Sequence, residues 1–195
     1  MPTKIEPKLM RERFHYDPIS GALIHKRKYG TSFKDKYFNT KCAGKIAHCR
    51  SVDLSGRTSY IVLIHNKTFQ AARVIWAIVT GEDPGLSHVD HKDGNALNNK
   101  IENLRLATPS QNSANKGRQR NNTSGYAGVY KQRKSYSFGV KTSTGRRIVQ
   151  GGYPTAIEAA IARDIIACVE HGEFFRPSVS TSGRPLPRHS NYRRR

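Results

Sequence analysis

The run Ser87-His88-Val89-Asp90-His91-Lys92-Asp93-Gly94 sets a carboxylate directly beside an imidazole. That pairing suits hydrolysis of a phosphodiester, which needs an activated water, a cation to offset charge on the phosphate and leaving oxygen, and a scaffold fixing both. Neighbours in a strand point to opposite faces, so Asp90 and His91 can divide the work, one holding the metal and the other the water. A hard ion such as Mg²⁺ accepts a carboxylate and an amide oxygen and keeps several waters, and Mn²⁺ suits the same donors. Asn112 can supply that amide oxygen from the first turn of a later helix. An Asp-His pair alone is common, and Asn clusters usually mark loops, so the surrounding elements carry much of the weight.

Those elements are legible from local chemistry. Residues 87–116 read as strand, turn-bearing loop, strand and helix. Asp93-Gly94 signals a tight turn, and Leu104–Ala107 is a short strand. In Thr108-Pro109-Ser110-Gln111 the Thr can cap a helix, the Gln can reach back to complete a capping box, and Pro falls at the first helical position. Upstream, residues 14–86 contain short β-type runs at Ala22–His25, Ser59–His65 and Lys67–Gln70, with a hairpin turn at Asn66. Ala71–Val79 reads as a helix ending before Gly81, with the sole Trp, Trp76, as a core residue. Tyr16, Asp17, Pro18 and Gly21 suggest a turn leading into a strand.

The ordered positions resemble a known family. His88-Val-Asp-His-Lys-Asp-Gly-Asn, then Asn98-Asn-Lys-Ile-Glu-Asn-Leu, then Thr108-Pro-Ser-Gln-Asn, is similar to phage-type HNH homing endonucleases, which carry a ββα-metal motif. The resemblance implies Asp90 and Asn112 as metal ligands, His91 as general base and Asn103 as the structural residue holding the loop that orients the histidine. Asn103 lies twelve residues after His91, and Asn112 twenty-two after Asp90, as in the family pattern. His88 reads as an exposed surface histidine, and Asn115 as helix surface or a phosphate contact.

Residues 117–124 are polar throughout and read as a linker. Three β-type runs follow, near Gly128–Lys131, Tyr136–Thr142 and Arg146–Tyr153. Thr155-Ala-Ile-Glu158 then forms a second capping box, opening an Ala-rich helix that ends at His171-Gly172. Asn121-Asn-Thr-Ser-Gly-Tyr-Ala-Gly-Val-Tyr, Gly151-Gly-Tyr-Pro-Thr, Glu158-Ala-Ala and Gly172-Glu-Phe-Phe together resemble an AP2-type DNA-binding domain, in which a three-stranded sheet enters the major groove and a helix packs behind it. On that resemblance Lys131, Arg133, Lys134, Lys141, Arg146 and Arg147 are the candidate DNA contacts. Relatives often carry a Trp with flanking arginines in the second strand. Here Tyr136 stands in for the Trp, and the arginines are missing.

The predicted fold class is therefore α+β. A small β-rich N-terminal part leads into an HNH nuclease domain (14–116), followed by the linker, an AP2-like domain of three strands and a helix (125–175), and a disordered basic tail (176–195). Charge agrees with a polyanionic partner, duplex DNA. The chain carries 34 Lys and Arg against 14 Asp and Glu, a formal +20, a large excess for a small protein. Residues 1–112 hold 18 basic and 10 acidic groups and residues 113–195 hold 16 and 4, so the C-terminal part is the stronger electrostatic anchor. The sequence offers neither a long apolar run nor a basic amphipathic helix for membrane binding, and nothing in it indicates an oligomeric state. Its three cysteines form no CxxC pair, and the odd count argues against a disulfide framework. With no apolar stretch in Met1–Arg13 of the kind a signal peptide needs, a cytoplasmic setting in a bacterial host cell is expected. The competing reading is a non-catalytic DNA-binding or regulatory protein with an AP2-like domain.

Overall fold

The computed structural model describes residues 4–54, 56–115, 118 and 121–186. The chain is α+β and divides into two compact units, one running through residue 106 and the other beginning at Ala107.

In the first unit, α1 (Pro7–Arg13) runs into the hairpin of β1 (Phe14–Asp17) and β2 (Ala22–His25). Next come α2 (Phe33–Lys41), then β3 (His48–Val52), β4 (Thr58–Ile64) and β5 (Lys67–Gln70) in an antiparallel three-stranded sheet. The β4–β5 turn uses His65 and Asn66, both at positive φ, the conformation of tight two-residue hairpins. Helix α3 (Ala71–Thr80) buries Ala71, Ala72, Val74, Ile75 and Ala77 and stops at Gly81, whose φ of 84° suits a residue without Cβ. Its buried face joins Ile5, Met10, Phe14, Leu23, Val62, Ile64 and Leu104 in one core, and Trp76 packs against that core as expected. Strands β6 (His88–His91) and β7 (Leu104–Ala107) pair with each other.

Three elements here have no sequence signal. Helix α2 buries nothing, so it lacks an apolar stripe, although Ser32 caps it by accepting the Asp35 N–H. Helix α1 is only two turns long, with one fully buried residue, Met10. Strand β3 shows no alternation of burial; it forms because β4 needs a backbone partner along that edge, and tertiary context overrides propensity.

In the second unit, α4 (Pro109–Ala114) opens on the full Thr108–Gln111 capping box. Strands β8 (Val129–Gln132), β9 (Ser135–Lys141) and β10 (Arg147–Tyr153) form an antiparallel sheet with β9 central. Helix α5 (Ala156–His171), capped by Thr155 and Glu158, presses Ala159, Ala160 and Ala167 onto Val129, Phe138 and Val140. Small alanines bring the helix close to the sheet. This is the predicted arrangement of three strands and a helix.

Two boundaries differ from expectation. The division at residue 106 groups α4 with the second unit, where Ser110 Oγ donates to Thr142 O at 3.4 Å and α4 packs against α5. Residues 176–186, expected as disordered tail, are ordered on α5. The Asp164 carboxylate accepts the Ser178 N–H at 2.7 Å, its Oγ–H at 2.8 Å and the Val179 N–H at 3.2 Å. One acid matched to three donors overrides a composition that is otherwise basic. Residues 187–195 lie outside the described residues, as do 117, 119 and 120 of the expected linker. Its residues Asn122 and Ser124 are fastened to the Tyr126 and Val129 carbonyls.

Candidate nuclease site

Strand β6 presents His88 to solvent and buries Asp90 and His91, which are 5% and 8% exposed. A buried carboxylate needs a counter-charge, and β7 supplies it. Arg105 donates Nε–H to Asp90 Oδ2 at 3.1 Å, with Nη2 also 3.1 Å from that oxygen. His91 turns to a different partner. Its Nε2–H donates to Asn99 Oδ1 at 2.8 Å, and the lone pair of the neutral ring then sits on Nδ1. Burial pushes the imidazole below the usual histidine range, against the opposing pull of the Asn99 hydrogen bond and the Asp93 and Asp90 charges. The shift favours the uncharged ring.

The loop between the two strands is held by polar side chains. Asn103 Oδ1 accepts the Asp93 N–H at 3.0 Å, while its Nδ2 donates to Asp93 Oδ1 at 3.0 Å and to Asn98 O at 2.8 Å. Asn98 Nδ2 donates to Asp93 Oδ2 at 2.8 Å, and Gly94 makes the turn at φ +72°. The β1–β2 hairpin braces the same loop from outside. Tyr16 Oη accepts the Ile101 N–H at 2.8 Å. Gly21, at φ +73°, comes so near that a Cβ there would lie 2.9 Å from the Asn99 carbonyl carbon. The turn residues read as mere entry to a strand thus position the residue that holds His91.

Sequence reasoning missed Asn99 and Arg105. Asn99 is 2% exposed, yet in sequence it is one asparagine among several. Arg105 carried a signal: a lone cation between leucines in a short strand needs an anion inside the fold. Asn112 lies half-buried on α4, its N–H bonded to Thr108 O at 2.9 Å. Asn115, read as helix surface, is instead buried at 4% where α4 ends.

For a divalent ion the donor chemistry is what matters. Among the described residues no group of three or more His, Cys, Asp or Glu is placed to hold a metal, so a soft, all-protein cage of the zinc type does not fit. A buried carboxylate such as Asp90 is the kind of oxygen donor that a hard ion of the Mg²⁺ class accepts, with water completing the shell.

All six candidate DNA contacts are exposed, but the sheet register divides them. Lys141 stands opposite Arg147, on the face away from Phe138, Val140 and α5. Tyr130 shares that face, its Oη accepting from Arg147 Nη2 at 3.2 Å. Arg133 and Lys134 form the β8–β9 turn, and Arg146 lies in the β9–β10 turn. Lys131 pairs with Tyr136 and so falls on the helix side. Tyr136 itself packs against the core rather than offering a ring to DNA.

Residues 69–114 match the HNH endonuclease family. That segment contains Asp90, His91, Asn99, Asn103, Arg105 and Asn112. The chain is 44% identical over 55 residues to protein 3.8 of Escherichia phage T7, an alignment covering 28% of this chain and 46% of that protein. It is 35% identical over 124 residues to an uncharacterized HNH endonuclease of Acanthamoeba polyphaga mimivirus, covering 63% and 64%. The chain thus spans less than two thirds of either relative. No solved structure matches. Among the described residues no helix is long and apolar enough to cross a membrane.

Proposed function

We propose that the protein is a metal-dependent endonuclease that hydrolyses phosphodiester bonds of double-stranded DNA. The observation that carries this reading is the buried His91, held through Nε2 by Asn99 next to Asp90, within the HNH segment. His91 Nδ1 takes a proton from water, which attacks phosphorus in line with the departing 3′-oxygen and leaves a 5′-phosphate and a 3′-hydroxyl. Asp90 and Asn112 are the residues that would hold Mg²⁺ or Mn²⁺, and the ion would supply Lewis-acid relief of charge on the phosphate and leaving group. Arg105 fixes the Asp90 carboxylate, and Asn103 fixes the loop that carries Asn99.

The second unit is the DNA-binding part of this reading, an AP2-like module whose open face offers Lys141 and Arg147, with Arg133, Lys134 and Arg146 in the adjoining turns. The register argues against Lys131 as a member of that face. A homing role inside a bacterial host is what the likeness to phage-type enzymes implies, and one similar protein comes from a phage, T7. Incubation with supercoiled plasmid and Mg²⁺ or Mn²⁺ tests the enzyme. Relaxed or linear product with ligatable ends is expected. A mobility shift without cutting, in either metal, would replace it with the non-catalytic binder.

A further inference from the structure

The first unit contains a second concave feature that cleavage does not use. A groove of about 1300 Å³ is walled by α1, by the segment following β2 and by Phe38 of α2, and none of the site residues lines it. Six cationic side chains do, Lys8, Arg11, Arg13, Lys26, Arg27 and Lys28, against a single carboxylate, Glu12.

Like charges gathered on a concave wall repel one another and focus their field outward, so an arrangement of this kind must be held in place. It is. Lys26 N–H donates to Arg13 O at 2.8 Å. Lys28 is clamped both ways by Asn39, its N–H donating to Oδ1 and its carbonyl accepting from Nδ2, each at 2.8 Å. Arg11 Nε–H donates to Ile78 O at 2.7 Å, where α3 ends. Yet among the described residues only Lys28 of the six has an ion-pair partner, Asp35 at 3.5 Å. The backbone is fixed and most of the charge is left unmatched.

Tyr29 completes the pattern. It closes the run Lys26-Arg27-Lys28 and is 98% exposed, so packing gives no reason for an aromatic there. Beside a duplex it offers an apolar ring face and a hydroxyl to the sugar-phosphate backbone.

We infer that this groove binds the phosphate backbone of duplex DNA, as a contact additional to the β8–β10 sheet. The inference rests on the nuclease reading for its choice of polyanion and on charge complementarity for its fit. A chain that handles DNA at one site meets the same molecule's phosphates along a second cationic wall, and each neutralised phosphate releases counterions.

The test is equilibrium binding of the full chain to a random-sequence duplex, followed by fluorescence anisotropy across a salt series with EDTA present, so that cutting plays no part. For K8A/K26A/R27A the slope of log affinity against log salt should flatten by roughly two to three, about 0.9 for each lost phosphate contact, with an unchanged thermal melt. Y29A should weaken binding while leaving the slope where it was. If the triple variant melts lower, the milder K26Q/R27Q is compared instead and should flatten the slope by about 1.8. A wild-type slope and affinity in the variants would overturn the groove while leaving the nuclease reading intact. A wild-type chain that binds no duplex at low salt would remove both. Displacement of the duplex by polyglutamate as readily as by unlabelled DNA would also overturn the assignment.

Discussion

The two units use polar side chains in opposite ways. Between His88 and Arg105 the first unit buries Asp90, His91, Asn99 and Asn103 and ties them to one another's neighbours. On the open face of its sheet the second unit keeps Lys141 and Arg147 in solvent, one opposite the other, over a core of Val129, Phe138 and Val140. Its buried polar groups Arg163 and Ser178 meet at Asp164 and fasten the segment that follows α5. The contrast fits the two tasks proposed for them. A proton transfer requires a base whose tautomer and charge are fixed before substrate arrives. Phosphate contact requires charge within reach of solvent, and alternation along a strand provides that without any network.

The sharpest way to separate the units is His91→Ala. Loss of a general base costs about 10²–10⁴-fold in rate, while duplex affinity measured without metal should stay at the wild-type value. Retained cutting would remove His91 from the mechanism. Arg105→Met comes next. It removes the guanidinium from the buried Asp90 carboxylate, and breaking a buried pair costs about 3–5 kcal/mol. Urea denaturation in EDTA should show that loss, and added Mg²⁺ should restore more stability to the variant than to wild type. An unchanged midpoint would mean that the network around Asp90 does not hold the first unit together.

Asn99→Ala is the intermediate case. Removing an outer partner that orients a functional histidine costs about 10–100-fold in activity. The spectroscopic mark is the ring itself, since the imidazole ¹⁵N shifts of His91 should move from the Nε2–H form towards a mixture of tautomers. Asn99→Asp keeps an acceptor at that position and should recover the Nε2–H signature. A reduced rate with unaltered ¹⁵N shifts would mean that Asn99 acts only on the fold.

Regular elements were legible wherever their signals are local. The capping boxes at Thr108 and Thr155, the Gly81 stop, the β4–β5 turn and the strand runs of the second unit lie where sequence places them. The chemistry was legible in part, because Asp90 and His91 are adjacent. Their partners were not. Asn99 and Arg105 acquire meaning only when the 92–103 loop folds back, and Gly21 only when a hairpin far away in sequence closes on that loop. Strand β3 and helix α2 lack a periodic apolar face and depend on what they pack beside. The attachment of Ser178 and Val179 depends on one acid, Asp164, which a composition count averages away.

A smaller effect concerns pH. Burial lowers the pKa of His25, His48 and His91, all in the first unit, from the ordinary value of 6.5. The unfolded chain then binds more protons than the folded one in the window below pH 6.5, so stability falls as pH drops through that window and is fully present above it. Chemical denaturation of the metal-free protein at pH 5 and pH 7.5 should show the lower midpoint at pH 5. His91→Gln should reduce that difference, because one of the three contributors is gone. Equal midpoints would mean that these rings are hydrated in solution.

The smallest expected change belongs to the second unit. Lys141 and Arg147 face each other across β9 and β10, and Arg147 is additionally set by Tyr130, 5.7 Å from ring centroid to guanidinium carbon. If each meets one phosphate, K141A/R147A should lower the salt slope of duplex binding by about 1.8, or about 0.9 per contact, with no change in the thermal melt. Lys131→Ala, on the helix side of the sheet, should leave the slope alone. That pairing isolates geometry from charge, since all three residues are exposed cations on neighbouring strands. A loss for Lys131 equal to that of Arg147 would mean the sheet meets DNA by its edge or turns, and the division of the six cations by register would no longer describe the interface.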